Sequence, residues 1–147
     1  ASCAAESAAL AAGAEDSVCA NFAQMGRNMG MAWQIARDID DLWGEHGDGM
    51  TPSNVLNKKK SFPLVHTLET ADVSAKRELG AIYMKRVLEA EDIAKMIEIL
   101  DSADARQTSQ AKSQELVDQA LAGLDGVSQQ GIDALKSVGQ WATEGGR

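Results

Sequence analysis

Apolar residues recur three or four positions apart along most of this 147-residue chain, the spacing that places them on one face of an α-helix. The predicted helices span residues 1–12, 18–43, 74–87, 91–102, 108–124 and 127–142, with one more helix whose first turn holds Pro63. No strand signal competes with this helical period. The sequence therefore predicts an all-α protein.

Glycines mark the ends of the predicted helices and a contact between helices. Gly13 follows the first helix and Gly44 follows the second, in positions typical of a helix C-terminus. Gly26 and Gly30 lie four residues apart inside the long helix, where each costs roughly 1 kcal/mol relative to alanine. We therefore expect another helix to approach closely there. Residues 44–57 are rich in glycine and polar residues and are predicted to form a loop.

Charge and composition narrow the classes of partner and compartment. The chain has 14 basic and 22 acidic residues, a net charge of −8, which argues against a nucleic-acid partner because phosphate backbones need clustered Lys and Arg. No apolar run approaches the length of a membrane span, so we expect a cytoplasmic protein without stable membrane insertion. The chain begins inside an alanine-rich segment with neither an initiator methionine nor a capping residue, so we expect either that it lost an upstream half or that it was made as a separate piece.

Candidate chemistry begins at the end of the long helix. Each helical residue advances about 100°, so Gln34, Asp38 and Asp41 share one face, with Arg37 at its border and Asp40 pointing away. Two carboxylates three residues apart, with an amide one turn earlier, can hold a hard divalent ion such as Mg²⁺ through oxygen ligands. The alternative is a solvated helix face on which Arg37 and Asp41 form an i,i+4 ion pair.

A lysine run adds a second candidate feature to an otherwise acidic chain. Lys58, Lys59 and Lys60 follow the predicted loop and precede the helix that holds Pro63. Clustered ammonium groups beside a carboxylate–metal site match the needs of a diphosphate, which takes metal ions on one side and point charges on the other. The two features together predict binding of a phosphorylated ligand.

The segments "NMGMAWQIARDIDDLWG" and "NVLNKKKSFPLVHTLE" make the chain similar to the C-terminal half of trans-isoprenyl diphosphate synthases. That family has a Phe-Gln pair, an Asp-Asp-x-x-Asp motif and a Lys-Lys-Thr-Leu-Pro stretch in the same order and spacing. The resemblance implies an isoprenoid-synthase-type helical bundle, of which residues 1–147 form the C-terminal part. It also implies Mg²⁺ and the condensation of an allylic prenyl diphosphate with isopentenyl diphosphate, with the N-terminal half needed for activity.

The resemblance also implies roles for individual residues. Asp38 and Asp41 match the second and last aspartates of the motif and become candidate Mg²⁺ ligands. Lys59 and Gln34 become candidate catalytic residues, with Lys59 contacting phosphate. The implied substrate-binding residues are Lys59, Lys60, Trp33 and Arg37.

Three positions depart from the family pattern. Arg37 replaces the first aspartate of the motif, which weakens an ion site and offers a direct contact to diphosphate. Met50 stands where many members have a loop lysine, and Asn54 replaces a common aspartate. These departures keep two alternatives open. One is a class I terpene synthase or cyclase on the same fold. The other is a non-catalytic subunit that pairs with an active synthase. For each of these functions we expect a partner, either the N-terminal half or a second subunit of the synthase, in a homo- or hetero-oligomer such as a dimer.

Overall fold

A computed structural model describes residues 1–44, 52–124 and 126–144 of the chain. These residues form eight α-helices and no strand, which confirms the all-α prediction. The helices are α1 Ser2–Ala11, α2 Asp16–Trp43, α3 Ser53–Leu56, α4 Phe62–Thr70, α5 Val73–Met84, α6 Ala90–Ser102, α7 Ala105–Ala122 and α8 Gln129–Thr143. None of the described helices is both long enough and apolar enough to cross a membrane.

The chain divides into two compact units. The first comprises Ala1–Arg37 and Ala111–Arg147, and the second comprises Asp38–Gln110. Helix α2 contributes its final turn and a half to the second unit, because the division falls between Arg37 and Asp38. The second unit therefore holds both the carboxylates at the end of α2 and the lysine run.

In the first unit, α1 packs against α2 at the two helical glycines. A Cβ atom added to Gly26 would lie 2.8 Å from the carbonyl oxygen of Ala1 and 2.8 Å from the Cβ of Ala5. A Cβ added to Gly30 would lie 3.0 Å from the Cβ of Ala1. The Ser2 hydroxyl also donates a hydrogen bond of 2.8 Å to the carbonyl of Ala23. The close helix–helix contact predicted from the glycine spacing is confirmed.

In the second unit, one hydrophobic core packs the end of α2 against residues of the five helices that follow, α3 to α7. Its buried members are Leu42, Val55, Leu64, Leu79, Ile82, Met96, Ile99, Leu100 and Ala105. Trp43 packs against this core, and its indole Nε1 donates a hydrogen bond of 2.9 Å to Asp101 Oδ1. Because Leu42 and Val55 share the core, the start of α3 is held beside the last turn of α2.

The helix boundaries agree with the predicted ones to within about three residues, apart from one element. The sequence predicts a loop over residues 44–57, whereas Ser53–Leu56 form the single turn α3. Residues 45–51, which make up most of the expected loop and include Met50, lie outside the described residues. The expectation of a continuous loop is therefore wrong at its C-terminal end, where Asn54 and Val55 are buried.

Candidate functional site

Asp41 lies in the last turn of α2 and binds the first residues of α3. Its Oδ1 accepts hydrogen bonds from the backbone N–H of Ser53 (3.0 Å) and from the Ser53 hydroxyl (2.7 Å). Its Oδ2 accepts one from the backbone N–H of Asn54 (2.8 Å). The N–H groups at the start of a helix have no partner within the helix, and a carboxylate there also interacts favourably with the helix dipole. Asp41 thus caps α3 from 12 residues upstream.

Asp38 lies one turn earlier on α2 and is buried, with 6% of its surface exposed. Its Oδ1 accepts a hydrogen bond from the side-chain amide of Asn54 (3.2 Å). Its Oδ2 accepts one from the backbone N–H of Phe62, the first residue of α4 (3.2 Å). One carboxylate therefore contacts the chain both before and after the lysine run.

Asn54 connects the two carboxylates to the lysines. Its backbone N–H and its side chain bind Asp41 and Asp38, while its carbonyl oxygen accepts a hydrogen bond of 2.8 Å from the backbone N–H of Lys59. The N–H of Lys58 bonds to the carbonyl of Val55 at 2.9 Å. These two bonds form a Schellman motif, whose left-handed residue is Lys58 with a φ of 51°. The backbone of the lysine run thus continues directly from Asn54.

The three lysines have different environments. The Lys58 ammonium donates a hydrogen bond to the backbone carbonyl of Lys85, whereas Lys59 and Lys60 are exposed. The Tyr83 hydroxyl lies 3.4 Å from the carbonyl oxygen of Lys59, and burial raises the pKa of this phenol above its usual value. The lysine run is therefore fixed to α5 through its backbone and Lys58, and it presents the Lys59 and Lys60 side chains to solvent.

A cavity of about 160 Å³ opens beside the lysine run, between α4 and α5. Its lining is almost entirely apolar apart from the lysines at its edge. The lining residues are Lys58, Lys60, Leu64, Val65, Leu68, Leu79, Gly80 and Tyr83. Positive charge beside an apolar recess suits a ligand with an anionic head and a short hydrocarbon chain.

The carboxylates of Asp38 and Asp41 at the end of α2 do not form a preformed metal-binding site. Each oxygen of Asp38 and Asp41 already accepts a hydrogen bond from Ser53, Asn54 or Phe62. Within residues 1–44, 52–124 and 126–144, no group of three or more His, Cys, Asp and Glu side chains could hold a metal ion. Magnesium needs near-octahedral oxygen ligands and keeps several waters, which a carboxylate as buried as Asp38 does not offer. The arrangement does not fit the ion, and the Mg²⁺-ligand role of Asp38 and Asp41 stays a prediction.

Hydrogen bonds through Asn54 connect Asp38 and Asp41 to the backbone of the lysine run, and the predicted phosphate-binding roles of Lys59 and Lys60 stay predictions. Three further candidate residues lie on the part of α2 that belongs to the first unit, with exposed side chains: Trp33, Gln34 and Arg37. Their predicted roles in catalysis and substrate binding stay predictions. Met50 lies outside the described residues. Sequence reasoning treated Asn54 only as a departure from the family pattern and missed its central position. One feature of the sequence could have indicated this position. Asn54 stands where the family commonly has an aspartate, and its side-chain amide, unlike a carboxylate, can donate hydrogen bonds.

Comparison with known proteins gives a family match and several relatives. The polyprenyl synthetase family model matches residues 1–100. A geranylgeranyl diphosphate synthase of Mycobacterium tuberculosis is 27% identical over 134 residues, which are 88% of this chain and 38% of the relative. Component 2 of a heptaprenyl diphosphate synthase from Geobacillus stearothermophilus is 30% identical over 121 residues, covering 81% of this chain and 37% of that protein. The chain thus spans less than two fifths of the length of these curated relatives.

Solved structures resemble the chain in fold. A decaprenyl diphosphate synthase from Rhodobacter capsulatus superposes with a TM-score of 0.86 at 18% identity, over 99% of this chain and 46% of that one. A geranylgeranyl pyrophosphate synthase from Corynebacterium glutamicum, in complex with isoprenyl diphosphate and magnesium, gives a TM-score of 0.76 at 21% identity, over 92% and 40% of the two chains. At these identities the matches establish the isoprenyl-synthase helical fold.

Proposed function

The chain belongs to the polyprenyl synthetase family, and from that membership we propose that it supplies the diphosphate-binding C-terminal part of a prenyltransferase. The reaction proposed for the whole protein condenses an allylic prenyl diphosphate with isopentenyl diphosphate. Support comes from the names of the relatives, among them geranylgeranyl, farnesyl and heptaprenyl diphosphate synthases. Because the chain spans less than two fifths of their length, the complete activity needs residues beyond this chain.

One observation carries the proposal: the backbone of the lysine run, with Lys59 and Lys60 exposed, is hydrogen-bonded through Asn54 to the acidic end of α2. The Lys59 backbone bonds to Asn54, and Asn54 bonds to both Asp38 and Asp41. An anchored pair of ammonium groups can bind a diphosphate without ordering a flexible loop first, which lowers the entropic cost of binding. We assign Lys59 and Lys60 to the diphosphate. Arg37, whose guanidinium can bind phosphate in a bidentate manner, is a further proposed contact.

Gln34 and Trp33 complete the proposed substrate-side residues on α2. Both side chains are exposed in this chain, Trp33 with 37% of its surface accessible. Their positions match the Phe-Gln pair of the family, which supports a catalytic role for Gln34 and a substrate contact for Trp33. Magnesium dependence of the whole enzyme is also part of the proposal, and activity with and without a chelator tests it. The cytoplasmic location stays a prediction.

Exposed apolar side chains flank the lysine run and support a protein partner. Leu56, Val65 and Leu68 are 53%, 37% and 41% exposed, and Met84 and Val87 are 86% and 68% exposed. Large apolar side chains exposed in this way are common where another protein surface binds. We propose that the N-terminal half of the synthase, or a second subunit, covers this surface. The similarity to a protein named component 2 of a synthase supports a two-subunit arrangement.

Titration of the chain with farnesyl diphosphate tests the diphosphate-binding function. The Lys59→Ala/Lys60→Ala variant is expected to bind at least about tenfold more weakly, because each charge-assisted hydrogen bond contributes about 1.5–3 kcal/mol. The matched control is Lys95→Ala/Lys112→Ala, which removes two ammonium groups that form surface ion pairs with Glu98 and Glu115. Equal affinity for the two double variants would contradict the assignment.

Product analysis of the assembled enzyme separates the remaining functions. Chain elongation that depends on isopentenyl diphosphate supports prenyl transfer. A hydrocarbon or alcohol formed without isopentenyl diphosphate would instead indicate a terpene synthase. A non-catalytic subunit is favoured by Arg37 and by carboxylates whose oxygens already bind the chain. It predicts that the partner carries the metal-dependent turnover and that Arg37→Asp, which restores the first aspartate of the motif, raises this turnover; no change would count against it.

A further inference from the structure

We propose that Asp38 and Asp41 are positioning residues, which fix the lysine run by capping the helices on either side of it instead of ligating a metal ion. Their capping function stands on the geometry of this chain alone. Their effect on ligand binding rests on the proposed diphosphate site.

The N-terminus of α3 depends on Asp41 for its hydrogen-bond acceptors. Helix α3 has only four residues, and its N-cap residue, Pro52, provides no side-chain hydrogen bond. A helix this short has almost no internal hydrogen bonds, so its N–H groups need an external acceptor. Asp41 accepts from two backbone N–H groups and one hydroxyl at distances between 2.7 and 3.0 Å.

Asp38 binds the residues at both ends of the segment that contains the lysines. Asn54 precedes the lysines and Phe62 follows them, and each donates to a different oxygen of the same carboxylate. Ser61, the N-cap of α4, is buried and makes no side-chain capping bond, so the Phe62 N–H relies on Asp38. A single buried carboxylate therefore sets the distance between the two ends of the lysine segment.

Asn54 supplies hydrogen-bond donors to both carboxylates. Its amide donates to Asp38 at 3.2 Å, where an aspartate side chain would place a second carboxylate against the first. The carbonyl of Asn54 then receives the Lys59 N–H through the Schellman motif. The path from Asp38 and Asp41 to Lys59 thus consists of consecutive hydrogen bonds, with Asn54 at its centre.

Amide hydrogen exchange of the full chain tests the capping function. Asp41→Asn should raise the exchange rates of the Ser53 and Asn54 amides about tenfold, because a neutral amide is a weaker acceptor and can turn its NH₂ group toward the donors. Asp40→Asn is the matched control, since it removes the same charge from the same helical turn and Asp40 makes none of these bonds. Unchanged exchange at Ser53 and Asn54 in Asp41→Asn would overturn the proposal.

Binding of inorganic diphosphate tests the positioning role, because three mechanisms predict different results. If Asp41 positions the lysines, Asp41→Asn weakens binding by about tenfold both in EDTA and in excess Mg²⁺. If Asp41 ligates the ion, binding weakens only in Mg²⁺. If Asp41 acts only through its charge, its neutralisation strengthens binding of the anion. Either of the last two results would overturn the positioning role.

The two measurements also separate this proposal from the proposed function. A wild-type chain that binds no diphosphate would contradict the diphosphate site, while the exchange rates would still decide whether Asp41 caps α3. Asp38→Asn provides a second variant, for which faster exchange of the Phe62 amide is expected. Because Asp38 is buried and this variant can lose the fold, Asp41→Asn, whose side chain is only partly buried, is the primary variant.

Discussion

At the scale of single residues, Asn54 determines how the acidic end of α2 is used. It is buried and bonds to two carboxylates and to the Lys59 backbone. The sequence could not reveal these bonds, because they join residues 13 and 16 positions apart and leave no periodic pattern. The sequence did identify the two segments that these bonds connect, the acidic end of α2 and the lysine run.

Asn54→Asp tests this residue directly. The variant replaces a donor by a carboxylate at hydrogen-bond distance from Asp38, so we expect it to lower the free energy of unfolding by about 2–3 kcal/mol at pH 7. Protonation of the introduced carboxyl group restores a donor, so the difference from wild type should be smaller at pH 4 than at pH 7. Urea denaturation at both pH values measures the effect.

The control for that prediction is Asn57→Asp, on an exposed side chain whose amide donates a hydrogen bond to the carbonyl of Ser53. Its carboxylate can turn into water, so a loss below about 1 kcal/mol and little pH dependence are expected. A comparable loss for the two variants would show that Asn54 and Asp38 are not paired as described.

At the scale of elements, the helical period predicted every long helix and missed the short one. Helices such as α2 and α6 show several turns of apolar spacing, whereas the four residues of α3 cannot display a period of 3.6. Helix α3 exists because Val55 enters the core and Asp41 caps its first N–H groups. Such tertiary causes lie outside any local pattern, which is why residues 53–56 were expected to be loop.

The glycines of α2 and α5 provide a stability test with a built-in control. A Cβ at Gly26 would lie 2.8 Å from backbone and side-chain atoms of α1, whereas a Cβ at Gly80 has nothing within 4 Å. Gly26→Ala should therefore destabilise the protein by about 1–3 kcal/mol through overpacking. Gly80→Ala should stabilise it by about 0.5–1 kcal/mol through helix propensity. Thermal denaturation measures both, and stabilisation by Gly26→Ala would contradict the close α1–α2 contact.

The start of α6 predicts a pH effect. Asp92 accepts a hydrogen bond of 2.6 Å from the Lys85 ammonium and one of 3.1 Å from the Glu89 N–H, and these bonds lower its pKa below the usual value. A carboxylate with a lowered folded-state pKa contributes stability that is complete above its unfolded pKa, about 4, and is lost as the pH falls through the folded value.

Asp92→Asn should therefore lower the melting temperature at pH 7, and its difference from wild type should diminish in acid below about pH 4. The exposed neighbour Glu91 provides the matched control, Glu91→Gln. A deficit for Asp92→Asn that is constant from pH 7 to pH 3 would show that the carboxylate charge is not responsible.

At the scale of the whole molecule, the chain is an acidic member of the family, and its lysine run is hydrogen-bonded to the acidic end of α2 through Asn54. Its net charge of −8 opposes binding of an anion at long range, so the local geometry of Lys59 and Lys60 has to supply the attraction. The sequence predicted the fold and the family because the motifs keep their order and spacing. It could not show that the carboxylates bind the chain, because the same two residues suit either a metal or a helix N-terminus.

A double-mutant cycle between Asp41→Asn and Lys59→Ala, measured by diphosphate binding in EDTA, tests the central claim that the carboxylates act through the lysines. Asp41→Asn should weaken binding by about tenfold in the wild-type background and by less than about twofold when Lys59 is alanine, a strongly non-additive pair. The parallel cycle with Lys112→Ala should be additive. Equal losses for Asp41→Asn with and without Lys59 would contradict the account.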